Sequence, residues 1–290
     1  METFFWICCI KQLGKKLILM AASKKDPASL NIAKQILENY PFRLCEEKFK
    51  ESQVYAAEDF KQEVRLTILE EELVYAQNVT DFSPPPNLII FLSRHSSVSG
   101  TPTLSVHTPG NLGQASLGGF PRKVSVSPAN AMRTALKAMA QLAMEKRLNY
   151  EVCYECTHHG PSLDKPAMFV ELGSSPKQWM DVEAAEVIAH AAIKAASSFG
   201  REEAPAVLGV GGPHYNEKFT KMALEGNIAF GHIIPKYAIH EIDEEILRQC
   251  VERTLEKVEL AVLDWKGIKG EDKQRLIAIL EKVSLKTQKV

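Results

Sequence analysis

With 45% hydrophobic and 24% charged side chains, the 290-residue chain has the composition of a globular protein that can bury one large core or two modest ones. A formal net charge of −1 excludes a protein that grips nucleic acid over its whole surface, so any such contact has to come from a local basic patch. Six cysteines in this length exclude a disulfide-built scaffold and point to a reducing cytoplasm.

The first residues, Met-Glu-Thr-Phe-Phe-Trp-Ile-Cys-Cys-Ile, form an apolar but brief run with an acid before it and lysines after it. That polarity is wrong for a secretory signal and the run is too short to span a bilayer. Residues 1–15 are therefore read as an extension, and 16–290 as a single α/β domain with a candidate subdomain break near 125–150. Lys16 to Ala22 has the continuous apolarity of a buried strand, and Asp26-Pro27 supplies an N-cap and a first-turn proline for a helix to about Leu37. Leu44 to Glu72 alternates with many charges and predicts an outer hairpin or peripheral strand, best defined over Val64 to Leu69. Asn87 to Ser93 is the clearest buried strand and runs straight into Arg94-His95-Ser96-Ser97.

Thr101 to Pro128 is rich in Gly, Ser, Thr and Pro, and irregular stretches of this length are often functional. Ser127-Pro128 is read as the cap of a helix with an apolar stripe at Met132, Ala135, Leu136, Met139, Leu142 and Ala143. Tyr150 to Gly173 then gives an extended run ending in His158-His159, a Gly160-Pro161 turn and a second strand carrying Glu171. Cys153 and Cys156 in that run read as buried thiols, since an offset of three puts them on opposite faces of a strand. A helix over Asp181 to Ser198 contains His190, read as a satisfied helix residue. Ala206 to Val210 is a strand delivering Gly211-Gly212-Pro213-His214, Asn216 caps a helix that Gly226 ends, and Ile228 to Ile234 is a strand with His232 inside. Two amphipathic helices, near Asp243 to Val258 and Glu271 to Val283, finish the chain.

All eight histidines lie after residue 94, and His95, His158 and His214 each follow an apolar strand. In a mostly parallel or mixed sheet, the crevice beyond the carboxyl ends of strands is a ligand site, so these imidazoles are expected on one rim with Glu171 beside them. Imidazole and carboxylate are ligands that Zn²⁺ accepts and groups that transfer protons near neutral pH. Gly211-Gly212 is too short for a dinucleotide fingerprint and is expected to bring backbone N–H groups close to a ligand, in the manner of an oxyanion hole. Ser96, Ser97, Ser99 and Thr101 leave open a hydroxyl nucleophile, without a G-x-S-x-G elbow to favour it.

Phe91-Leu-Ser-Arg-His-Ser-Ser, Ser105-Val-His-Thr-Pro-Gly-Asn, Thr157-His-His-Gly-Pro-Ser, Phe169-Val-Glu-Leu-Gly-Ser-Ser and Gly209-Val-Gly-Gly-Pro-His-Tyr, in this order, resemble the archaeal and plant type of D-aminoacyl-tRNA deacylase. The likeness runs from about Lys16 to near the C-terminus, with one departure, Pro213 where a further glycine is expected. It implies a zinc-dependent hydrolase that frees tRNA from D-amino acids, built as an α/β three-layer sandwich similar to the phosphorylase and peptidyl-tRNA hydrolase group; the oligomeric state is left open with a monomer favoured, and the cysteine usage places the protein in the cytoplasm. Under that resemblance His95, His158 and Glu171 are the expected metal ligands, His159 and His214 are further ligands or, with Glu171, proton carriers, and His107 and His232 stand around the metal to orient its ligands. Arg94, Ser96, Arg122, Lys165, Gly211, Gly212 and Lys218, with Lys123 and Lys236, are the expected contacts to the tRNA acceptor end. Two other readings stay open: a phosphorylase-like or nucleosidase-like enzyme with phosphate at Gly211-Gly212, and a metal-binding or RNA-binding module without turnover.

Overall fold

The computed structural model describes residues 15–201 and 203–290; the apolar N-terminal run lies outside them. The chain opens as β1 (Leu17–Ser23) and α1 (Pro27–Asn39), with the Asp26 carboxylate accepting the Ser29 N–H as the N-cap. The charged stretch that follows is the hairpin β2 (Phe42–Phe49) and β3 (Ser52–Ala57), then β4 (Glu63–Leu69). Only the hairpin is peripheral, because β4 pairs in parallel with β1 inside the sheet. Next come β5 (Leu88–Arg94), β6 (Thr103–His107), the short pair β7 (Gly110–Asn111) and β8 (Lys123–Val124), and α2 (Ala129–Glu145). The chain continues with β9 (Glu151–Tyr154), β10 (Ala167–Gly173), α3 (Pro176–Trp179) and α4 (Val182–Ser198). It ends with β11 (Ala206–Val210), α5 (Glu217–Glu225), β12 (Ala229–Ile234), α6 (Glu244–Glu252), β13 (Val258–Leu263), α7 (Gly270–Lys282) and β14 (Lys286–Lys289).

This is an α/β fold with a mixed sheet of eight strands, ordered β2-β3-β4-β1-β5-β10-β6-β9, and a parallel sheet of four, ordered β12-β11-β13-β14. One apolar cluster joins the first sheet to α1, α2 and α4 and takes in Val207, Phe230 and Val262 from the second sheet. Among the described residues no helix is long and apolar enough to cross a membrane.

Helix α2 begins where expected, but Ser127 does not cap it. The N–H groups of Ala129 and Asn130 donate to the buried Glu256 carboxylate at 3.0 and 2.9 Å, from the far end of the sequence. A carboxylate at a helix N-terminus satisfies open donors and complements the helix dipole. Glu256→Ala is therefore expected to lower unfolding stability by about 1–2 kcal/mol in chemical denaturation, with turnover at saturating substrate unaffected.

The register decides what the first sheet can carry. Successive side chains on a strand alternate between faces. On one face Ile18, Met20, Ile90, Leu92, Met168 and Val170 bury against the helices. On the other, Leu19, Phe91 and Phe169 pack with Leu73, Val79 and Phe82. Along that second face the strands then change character: Ser93 pairs with Glu171, Glu171 with Ser105, Phe169 with His107, and Ser105 with Cys153. Paired residues share a face, so Ser93, Glu171, Ser105, His107 and Cys153 all point to the same side. His95 and Glu155 continue the parity two residues beyond Ser93 and Cys153.

Candidate active site

The predicted rim of strand ends is not how the histidines meet. Strand β10 runs parallel to β5 but antiparallel to β6, and β9 follows β6, so the C-termini of β5 and β9 point in opposite directions. The groups converge on the sheet's face instead, where the two antiparallel halves overlap.

Glu155 lies at the centre. It is 1% exposed, its Oε2 accepts from His214 Nε2 at 2.8 Å, and His158 Nε2 lies 3.6 Å from the same oxygen. Its Oε1 is 3.3 Å from His95 Nδ1 and has no hydrogen-bonding partner of good geometry. Glu171 is placed likewise: Oε2 is 3.6 Å from His95 Nδ1 and Oε1 is 3.7 Å from His107 Nε2. The other nitrogen of His95 is 2.9 Å from the Tyr215 hydroxyl, so His95 faces two carboxylates and a phenol rather than one of the nearby serines.

The adjacent histidines both face this site because the chain has left the strand: His159 has φ 40°, and the two ring centroids are 4.2 Å apart. That left-handed conformation costs a non-glycine residue about 1 kcal/mol or more. Phe169 supplies the floor, with the His107 ring stacked on it at 5.1 Å and 1° and the His159 ring edge-on at 5.0 Å. Three Nδ1 atoms are tied to carbonyls: His158 to Cys156 at 2.8 Å, His159 to Gly160 at 2.8 Å and His107 to Thr108 at 3.3 Å. A carbonyl only accepts, so each Nδ1 carries the proton, and in neutral His158 and His159 Nε2 keeps its lone pair free.

The electrostatics divide the imidazoles into two kinds. Burial alone would lower the pKa of His95, but Glu155 and Glu171 outweigh it and push the pKa up to about 10. His214 is likewise pushed up to about 10, against its burial, by contacts with Cys156 and Glu155. Burial together with neighbouring imidazoles holds His158 well below its ordinary value and His159 down to about 4. The carboxylates answer this pattern: despite burial, His214 and His95 hold Glu155 well below the usual range, and His107 and His95 hold Glu171 at about 2. Two protonated imidazoles, two carboxylates and neutral imidazoles with open lone pairs therefore share one site, an arrangement that separates acid from base roles.

Above these groups is a cavity of about 650 Å³, lined among others by Asp26, Glu72, Arg94, His95, Ser96, His158, His159, Glu171, His214 and Tyr215. The structure thus brings together His95, His107, His158, His159, Glu171 and His214, with Arg94 and Ser96 on the cavity wall. It does not bring His232 to them. That ring is fully buried in β12, with Nδ1 at 3.0 Å from the Thr157 hydroxyl and Nε2 at 3.2 Å from the Arg253 carbonyl, so neither nitrogen is open to a ligand.

Nor do three expected substrate contacts reach the cavity. Arg122 is engaged by Asp243 and Glu245, Lys218 by Asp264 and the Val290 carbonyl, and Lys165 lines neither this cavity nor the one beside it. The Gly211 N–H donates to the Ile234 carbonyl at 2.8 Å and is not free to hold an oxyanion; the positive φ of Gly211 and Gly212, 104° and 77°, serves the tight turn that places His214. Lys123 pairs with Asp164 at 3.3 Å, while Lys236 is exposed.

His232 instead makes a stability prediction. Burial lowers its folded pKa from 6.5 to about 4. As pH falls through that window the unfolded chain binds the proton first, so stability is lost on acidification. Between about pH 7 and about pH 5 this one group contributes a loss of about 2 kcal/mol. Denaturant midpoints for His232→Leu, a less stable variant, are expected to fall less over that interval than those of the unaltered chain.

Sequence reading overlooked Glu155, Tyr215, Tyr237 and the proximity of Cys156 to His214. The Cys156 Sγ is 3.3 Å from His214 Nδ1 and 3.4 Å from the Tyr237 hydroxyl, so this buried thiol belongs to the site, while Cys153 is the buried thiol expected. The available signal for Glu155 was a carboxylate inside Val-Cys-Tyr-Glu-Cys, a run otherwise fit only for burial.

Buried polar atoms without partners are rare, and here the Nε2 of His107 and the Oε1 of Glu155 have none. Donor atoms gather within 4.8 Å of one another in three groups: His107, His158 and His159; Cys156, His158 and His214; and His95, Glu155 and Glu171. Imidazole, thiolate and carboxylate are what a transition-metal cation such as zinc takes, so the residues present fit one.

Fold and site together define an α/β protein whose centre is a buried imidazole–carboxylate cluster, the equipment of a hydrolase. Residues 82–288 match the D-aminoacyl-tRNA deacylase family. Over 273 residues the chain is 36% identical to the D-aminoacyl-tRNA deacylase of Thermococcus onnurineus, covering 92% of this chain and 97% of that one. It is 37% identical to the enzyme of that name from Methanosarcina mazei over 278 residues, 94% of this chain and 92% of that one. A crystal structure of a conserved protein of unknown function superposes with a TM-score of 0.85 over 95% of both chains at 28% identity. The chain belongs to the D-aminoacyl-tRNA deacylase family.

Proposed function

We propose that this protein hydrolyses the ester of D-aminoacyl-tRNA, releasing the D-amino acid and free tRNA, and that it uses Zn²⁺. Family membership gives the substrate class. The observation that carries the chemistry is the buried cluster itself, in which Glu155 and Glu171 lie within 3.7 Å of His95, His107, His158 and His214, beneath a cavity open to a substrate.

His158, His107, Glu171 and, in its deprotonated form, His95 would hold the metal, whose chemistry when bound is to polarise the ester carbonyl and lower the pKa of water. The chain's own groups do the rest. His159, neutral and with a bare Nε2, accepts the proton of the attacking water. His214, protonated and fixed by Glu155 at 2.8 Å, supplies the proton of the departing ribose oxygen from Nδ1 by way of the Tyr237 hydroxyl at 3.1 Å, which gives up its own proton as it takes that of Nδ1. Glu171 lies 3.6 Å from His95 Nδ1, and the Tyr215 hydroxyl at 2.9 Å fixes the His95 ring. Arg94, paired with Glu72 at 3.1 Å, and Ser96 line the cavity wall, and Lys236 at the exposed rim is the contact to the acceptor-end phosphates we retain, with binding expected to weaken as salt rises.

We read residues 16–290 as one catalytic unit, since one apolar cluster draws on both sheets, and we propose that it works in the cytoplasm, with a monomer the favoured state. Dialysis against a chelator is expected to abolish release of free D-amino acid, and added Zn²⁺ to restore it. Full activity in a protein shown by elemental analysis to be free of metal would remove zinc from the proposal.

A further inference from the structure

A second cavity, of about 350 Å³, lies beside the first, and the two share only Leu117, His158 and His159 among their lining residues. The histidine pair is therefore a partition with a chamber on each side. The chambers differ in chemistry. The larger has charged walls, with Asp26, Glu72 and Arg94. The smaller is lined by Asn111, Gln114, Ser116, Pro235, Tyr237 and Ala238, with Glu241 as its only side chain of fixed charge and neither lysine nor arginine.

We propose that the smaller cavity receives the base of the tRNA's terminal adenosine, while the aminoacyl group occupies the larger one and the ester lies across His158 and His159. This rests on the proposed substrate. The two halves of an aminoacyl-adenosine are unlike in the same sense as the two chambers: one is compact and carries an ammonium group, the other is flat, aromatic and uncharged. Unpaired RNA ends are recognised by stacking on aromatic rings and by hydrogen bonds to base edges. Tyr237 is 53% exposed while its hydroxyl is anchored 3.1 Å from His214 Nδ1, so its ring is presented at a fixed distance from the reacting groups. Gln114, exposed, lines the same cavity and offers an amide that both donates and accepts. A cavity with one carboxylate and no cation suits no phosphate. The phosphate of the terminal nucleotide is accounted for outside it by exposed Lys236, between the lining residues Pro235 and Tyr237.

Saturation-transfer NMR with free adenosine tests this without requiring turnover. Transfer to the adenine protons is expected for the unaltered protein and should weaken about tenfold in Gln114→Ala, the scale of one lost hydrogen bond. In deacylation assays Gln114→Ala is expected to raise KM about tenfold with little change in kcat, the pattern of lost ground-state binding. No transfer from the unaltered protein, or the same transfer and KM in Gln114→Ala, would overturn the assignment. Failure of the unaltered protein to cleave D-aminoacyl-tRNA would instead count against the proposed substrate, and the adenosine signal would tell the two apart.

Discussion

Glu155→Gln is expected to reduce turnover of D-aminoacyl-tRNA by about 100-fold or more, the scale of losing general acid–base catalysis, in a protein that still folds. Glutamine has nearly the shape of glutamate, so the strand and its neighbours need not move. What disappears is the one negative charge lying between His95 at 3.3 Å, His214 at 2.8 Å and His158 at 3.6 Å. Without it, burial is opposed only by Glu171 at His95 and only by Cys156 at His214, and both should titrate below the value of about 10. His214 would then be neutral at the working pH and unable to donate to the leaving oxygen. An NMR titration of the histidines reads this directly: the prediction fails if turnover collapses while both pKa values stay high, because Glu155 would then act in some other way.

His158→Ala is expected to have the next largest effect, removing most bound metal and reducing turnover to that of the chelated protein. His158 is the residue common to two of the three donor groups, and its ring lies 4.3 Å from His107 and 4.5 Å from His214. Its Nδ1 donates to the Cys156 carbonyl at 2.8 Å, leaving Nε2 as the lone pair presented to the site. Substituting alanine opens a gap at the partition but removes no charge, so folding should survive. Elemental analysis together with the deacylation rate checks this. Retained metal with retained turnover would place the ion elsewhere.

Much of the fold could be read from local pattern. The strand over Leu88–Arg94, the Asp26 and Asn216 caps and the apolar stripe of α2 are decided by residues close in sequence, and the structure has them. Strands β13 and β14 were missed because Val258–Leu263 continues the apolar spacing of the preceding helix, and Lys286–Lys289 is a polar, exposed edge. At the site, His95, His158, His159, His214 and Glu171 could be singled out, since each stands next to a strand in a distinctive motif. Their geometry could not. Nothing local states that β6 runs against β10, and that reversal turns a rim of strand ends into a face. Glu155 was hidden for the same reason: its role appears only once Cys153 is paired with Ser105, and Ser105 with Glu171. Arg122 and Lys218 stood near motifs in sequence, but Asp243 and Asp264, far along the chain, hold them in ion pairs.

The most direct test of the account is the rate at which the purified chain releases the amino acid from D-aminoacyl-tRNA, measured beside the L-form and a protein-free control. The account predicts release from the D-form at least about 100-fold above the control, with the L-form left largely intact. Release of the D-amino acid no faster than in the absence of protein would contradict it.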